Sequence, residues 1–339
     1  MTRRLSFAPF TAVAGLILSA AASLHGQPAQ IQITSVDLAA GQVGAAGFLP
    51  VHMPYGVARP RLPGALGEIP LDVPAVPSPG FYPVDVTNPN NNPTLTTYAS
   101  HDVIVNPIIT APGVYAQSPS GPTLANADTF MANLFASDMI HIVDQYTNPS
   151  SLRTVGQAGV ITFNSTRTTY HDQDLQILVH AAGRVLGTAP GHAIHLFFRQ
   201  GTDICSTFGG ALVDEMCYSP DNPSTFYFCG YHDSWVFADI GRVVYSIEPY
   251  QNVPGCRVPA KNSPNGQAVD SMADTLLHET FEFISDPYPS SSTAWYNPFT
   301  GAEIADLCEG TVADIPLNAV PYRIQGIYSN KYHACSWGQ

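Results

Sequence analysis

From Tyr98 onward the chain alternates short apolar runs with longer stretches in which apolar residues recur every three or four positions. Residues 102–105, 108–110, 160–163, 226–228, 235–238 and 243–247 read as strands, each a short run of β-branched or aromatic residues. Residues 193–198 are apolar apart from His195 and predict a fully buried strand. Between 124 and 146, Phe130, Leu134, Phe135, Met139, Ile142 and Val143 recur with a spacing that predicts one or two amphipathic helices. Residues 173–186 predict another helix, with Leu175, Leu178, Val179 and Ala182 on one face and a stop at Gly187. Helices and strands mix without strict alternation and no internal repeat is evident. This predicts an α+β fold with one mixed sheet over residues 98–339.

The pattern before Tyr98 is different. Arg3 and Arg4 precede an apolar stretch to Leu18 and the small residues 19–23, the layout of a secretory signal peptide over residues 1–26. An uncleaved anchor is the competing reading, and the arginine pair is a weak twin-arginine signal. Residues 27–97 predict an extended proline-rich arm or linker, with eleven prolines between Pro50 and Pro93. Proline fixes φ and removes a backbone donor, so neither a helix nor a central strand can run through that segment. A small β cap using residues 31–36 is the alternative.

Composition narrows the functional classes. Twenty-six acidic against 13 basic residues give a net charge of -13, which excludes a nucleic-acid binder dependent on a basic face. No segment after the leader is apolar enough to span a bilayer, so the mature protein is expected to be secreted without a membrane span. All six cysteines lie between Cys205 and Cys335, which predicts disulfides formed in an oxidising compartment. Fifteen pairings exist; Cys217–Cys229 and Cys308–Cys335 are favoured, leaving Cys205 with Cys256.

The segment from Asp270 to Pro287 carries the candidate chemistry. Asp270 or Ser271 is placed to cap a helix, Ser271 and Asp274 resemble a capping box, and Pro287 ends it. Ala273, Leu276, Leu277, Thr280 and Ile284 form an apolar stripe. His278 and Glu282 lie one turn apart on another face, with Glu279 between them. This is the layout of a zincin active-site helix with Glu replacing the second His: two ligands chelate one ion, and the intervening Glu takes a proton from bound water. A surface helix in which Glu282 merely pairs with His278 is the competing reading. Asp306 is the first choice for a third ligand because Cys308 can fix it in place; Asp286 and Glu303 are held in reserve. Zinc is the expected ion. One His with two carboxylates around a dication is neutral and oxygen-rich, so Mn²⁺ or Ca²⁺ is also accommodated, and the pKa of bound water falls less than in a two-His site.

These residues bring a family into view. Residues 269–273, Ser285-Asp286-Pro287, Trp295-Tyr296, residues 303–308, Cys217 and Cys229-Gly230-Tyr231-His232 resemble the phosphate-induced, or EXORDIUM-like, secreted proteins of plants, fungi and bacteria. The likeness spans roughly Tyr98 to the C-terminus. It implies an extracellular or cell-wall location, and in plants a role in growth signalling. The plant members look to lack the H-E-x-x-E residues, so the resemblance implies a microbial branch that keeps a zincin-like site.

Three functions compete. The first is a secreted zincin-type hydrolase, a peptidase acting on extracellular protein. The second is a non-enzymatic extracellular protein associated with a cell-wall polymer. The third is a carbohydrate-binding module presenting Trp295, Tyr296 and Tyr288. His192 and His195, three apart at the start of a strand, are expected on opposite faces as structural histidines. For His232 two readings compete, an approach to the metal site or a hydrogen bond to substrate, and a packed loop histidine, of which the packed histidine is favoured.

Overall fold

A computed structural model describes residues 30–33, 36, 38, 97–109, 123–147, 152–189, 191–206, 216–289, 295 and 302–338. The leader and most of the proline-rich arm lie outside the described residues, as does Tyr296. In chain order the elements are β1 (Ile31–Ile33), β2 (Thr97–Ile109), α1 (Leu124–Phe135), a 3-10 helix (Asp138–Gln145), β3 (Leu152–Val155), β4 (Gly159–Ser165), β5 (Thr169–His171) and α2 (Asp172–Leu186). They continue with β6 (His192–Phe197), β7 (Asp203–Ser206), β8 (Met216–Tyr218), β9 (Tyr231–Phe237), β10 (Gly241–Glu248) and α3 (Gln267–Ser285). A short 3-10 turn (Asp306–Cys308) precedes β11 (Val312–Leu317), β12 (Val320–Gln325), β13 (Ile327–Ser329) and β14 (Ala334–Ser336).

The fold is α+β around a mixed seven-stranded sheet in the order β1-β4-β2-β6-β10-β9, with β3 also on β2. Neighbours run parallel except β9, which pairs antiparallel with β10. Residues 31–33, inside the segment read as an arm, form the edge strand β1, and Ile33 is buried there. The long β2 absorbs the strand signals at 102–105 and 108–109, with Thr110 outside the described residues, and the apolar stretch 124–146 divides into α1 and the 3-10 helix. Phe226 makes only an isolated bridge to Cys217, so no strand forms at 226–228.

Alternation along the strands sorts the side chains onto two faces. Val103, Val105, Ile194, Leu196, Tyr245 and Ile247 pack with Leu175, Leu178, Val179 and Ala182 of α2. On the opposite face Tyr98, Ala193 and Val244 join a second core built from α1, α3 and the C-terminal strands. That face also carries a buried polar row. Tyr98 donates to His195 Nε2 at 2.7 Å, His195 Nδ1 meets Ser246 Oγ at 2.8 Å, and Ser246 donates to Glu248 at 2.8 Å. His192 lies on the α2 face, stacked on His101 with 3.0 Å between ring nitrogens, so the two strand histidines do serve opposite faces.

The disulfides are Cys205–Cys217, Cys229–Cys256 and Cys308–Cys335. The last agrees with the sequence-based expectation; Cys217–Cys229 and Cys205–Cys256 are corrected. The reason is register: β7 and β8 pair antiparallel with Cys205 directly opposite Cys217, which leaves Cys229, at the entrance to β9, for the loop after β10. Trp295 is also not an exposed sugar platform. It is buried, edge-on to Tyr146 at 5.2 Å and close to Tyr328. No helix among the described residues is long and apolar enough to cross a membrane.

Candidate metal centre

Helix α3 begins one turn earlier than the capping residues suggest, at Gln267, with Gly266 at φ 86° as its N-cap. Asp270 instead accepts from the Asn265 side chain at 2.8 Å, and Ser271 donates back to Gln267 O at 2.5 Å. The helix ends at Ser285, ahead of Pro287 as the sequence predicts. It is not a surface helix. His278 is 6% exposed, Glu279 1% and Glu282 0%.

Three elements converge on this turn. The 3-10 turn brings Asp306 Oδ1 to 3.5 Å from His278 Nε2, while Glu282 Oε1 lies 3.2 Å from the same nitrogen. The Asp306 backbone N–H donates to Glu282 Oε1 at 3.2 Å and so fixes that carboxylate. Asp306 in turn accepts from Glu303 N at 3.0 Å, and the Cys308–Cys335 bridge anchors the turn to the C-terminal hairpin. His278, Glu282 and Asp306 present ligand-type atoms all within 4.8 Å of one another.

A second group shares Glu282. His232 on β9 places Nδ1 3.3 Å from Glu279 Oε2 and 3.7 Å from Glu282 Oε2, and these three residues also fall within the 4.8 Å limit. From the sequence alone a packed loop histidine is the favoured reading of His232. The signal that reading missed is alternation: Tyr231, Asp233, Trp235 and Phe237 occupy one face of β9, so His232 and Ser234 must face α3. Of the reserve residues, Asp286 meets His232 through its backbone carbonyl at 2.9 Å, and Glu303 lies 3.7 Å from His232 Nε2, on the His232 side of the cluster.

Hydrogen bonds assign both tautomers. The Gln325 side-chain N–H₂ donates to Ala305 O at 3.0 Å, which turns its Oε1 toward His278 Nδ1 at 3.4 Å. Nδ1 therefore carries a proton, and Nε2 is the nitrogen turned toward Glu282 and Asp306. His232 Nε2 must donate to the Asp286 carbonyl, so its Nδ1 aims a lone pair at Glu279 and Glu282. A lone pair facing carboxylates is repulsive unless a cation or a proton stands between them. Burial raises Glu279 and Glu303 well above the usual carboxylate range, and Glu282 to about 7 despite the adjacent His278. Burial pushes His278 down, but Glu282 and Asp306 outweigh it and hold the imidazole well above its ordinary value. His232 is lowered by burial.

The centre opens on one side. A cleft lined by Gly230, Arg257, Val258, Asp274, Thr275, Glu309 and Gln325 reaches His278 and Glu279. Gly230 is essential to its shape: a Cβ there would stand 2.9 Å from Glu279 Oε1 and 2.8 Å from Thr275 Cγ2. Comparison of the chain with protein-family models, curated proteins and solved structures finds no match in any of the three.

Proposed function

We propose that this chain is a secreted, metal-dependent hydrolase of zincin type, a peptidase, with a divalent ion held by His278, Glu282 and Asp306. The observation that carries the reading is the convergence of His278 Nε2, Glu282 Oε1 and Asp306 Oδ1 beside Glu279, at the end of an open cleft. The donor set fits a cation. Glu282 Oε2 is buried with no hydrogen-bond partner, and one imidazole with two carboxylates neutralises a dication. Zinc suits this set, and the oxygen-rich composition also accepts Mn²⁺ or Ca²⁺.

A bound divalent ion supplies Lewis acidity and lowers the pKa of its water. The chain supplies the rest. Glu279 is pinned through Oε2 by His232 and keeps Oε1 on the Gly230 side, where it can accept a proton and return it to a leaving group. Gln325 holds the His278 ring so that Nε2 remains a ligand. The three disulfides support secretion. The likeness to EXORDIUM-like proteins belongs to this proposal and rests on sequence motifs alone.

The test is hydrolysis of a generic unfolded protein substrate by the purified, disulfide-bonded chain. Activity abolished by a chelator and restored by zinc or manganese supports the reading. No activity under any metal condition favours the non-enzymatic, wall-associated alternative.

A further inference from the structure

We propose that the centre holds two divalent ions bridged by Glu282, an inference that rests on the metal-binding reading above. Glu282 points its two oxygens at two different histidines, Oε1 at His278 Nε2 and Oε2 at His232 Nδ1, 3.2 and 3.7 Å away. Each histidine has its other ring nitrogen committed to a fixed acceptor, Gln325 Oε1 or the Asp286 carbonyl, as metal-ligating histidines do. Each remaining nitrogen also faces a second carboxylate, Asp306 for His278 and Glu279 for His232. The site thus consists of two half-sites of the same composition, one imidazole and one terminal carboxylate, joined by one carboxylate. A carboxylate bridge suits ions about 3.5–4 Å apart, the spacing of two-metal hydrolytic centres.

Donors remain for a second ion once His278, Glu282 and Asp306 hold the first, because Glu279 and Glu303 are buried beside His232. Glu303 is fully buried, neither of its carboxylate oxygens has a hydrogen-bond partner, and its Oε1 lies 3.7 Å from His232 Nε2. In this arrangement Glu279 ligates the second ion through Oε2 and leaves Oε1 for the proton. The two ions would clamp a substrate whose attacking and leaving oxygens are both negatively charged, or a carbonyl and its nucleophilic water.

The test is metal stoichiometry by elemental analysis of the full chain loaded with Mn²⁺, with electron paramagnetic resonance on the same samples. Two ions per chain with an exchange-coupled spectrum are expected, falling to one ion with an isolated-ion spectrum in His232→Ala. One ion per chain in the unaltered protein, or an isolated-ion spectrum at saturation, overturns the two-ion proposal and leaves the His278 site standing. Two ions retained in His232→Ala also overturn it. No bound ion in the unaltered protein sinks both readings. The spectrum of the unaltered chain decides the matter even if His232→Ala fails to fold.

Discussion

Gln325 faces His278 Nδ1 at 3.4 Å with its amide oxygen, and its amide nitrogen is tied to the Ala305 carbonyl beside Asp306. One side chain therefore orients a candidate ligand from α3 and buttresses the turn that supplies another. Gln325→Ala should weaken metal binding about 10–100-fold while leaving the fold intact, because the ring loses the partner that fixes its tautomer. Competition titration against a chromogenic chelator measures this directly. Unchanged affinity would mean that His278 does not ligate through Nε2.

Gly230→Ala tests the cleft side of the centre. The added methyl meets Glu279 Oε1 and Thr275 Cγ2 at under 3 Å, and both must give way. Metal at the His278 half-site should be retained and hydrolysis should fall at least tenfold, since displacing a catalytic group by a fraction of an ångström costs heavily. The readouts are kcat and bound metal in the same preparation. Normal turnover would place the working oxygen of Glu279 elsewhere.

Metal and pH should act on stability together. Asp274 and Glu282 titrate near 7 in the folded chain, both raised mainly by burial, and Glu279 and Glu303 lie higher still. Groups raised on folding stabilise fully below their unfolded values near 4 and lose that contribution as pH rises through the folded ones. The raised His278 acts in the same sense. His232, lowered by burial, acts oppositely below its unfolded value. The metal-free protein should therefore lose stability between about pH 5 and 8, a fall of several degrees in Tm at roughly 2–4 °C per kcal/mol for a domain this size. Added zinc should restore Tm at pH 8 and do little at pH 5, where protons compete for the same atoms. Thermal scans with and without zinc at the two pH values check this; a metal-free Tm that rises with pH would contradict it.

The disulfides should separate by function. Cys308–Cys335 closes a separation of 27 residues and anchors the turn bearing Asp306, so the paired Ser variant should lose about 3–4 kcal/mol and bind metal more weakly. Cys205–Cys217 joins β7 to β8 in the small three-stranded sheet, whose strands carry none of the candidate ligands, and its removal should cost stability with metal affinity unchanged. Denaturant unfolding and metal titration on both variants distinguish the two outcomes.

Local periodicity made α2, β4, β6 and β10 legible, because each buries one face or both and its apolar spacing says so. The H-E-x-x-E turn was legible for a similar reason: three chemically distinctive residues lie within one helical turn. His232 was not, since its relation to Glu279 spans 47 positions and depends on β9 pairing with β10 at the sheet edge. The two mistaken disulfides failed likewise. Cys205 and Cys217 meet through strand register, which the spacing of cysteines along the chain does not encode. Gln325 gave no signal at all, because an isolated Gln at a strand end acquires its role only from the two elements it touches.

The central claim is that α3 carries a metal ligand and a proton acceptor side by side, and Glu279→Gln tests it most directly. The substitution keeps the shape and removes the base, so metal content and hydrolysis are measured on one sample. At least one ion per chain should remain while turnover falls by something like ~10²–10⁴-fold, whereas His278→Ala should lose the ion of its half-site. Hydrolysis at an undiminished rate in Glu279→Gln, or complete loss of metal from it, would contradict the account.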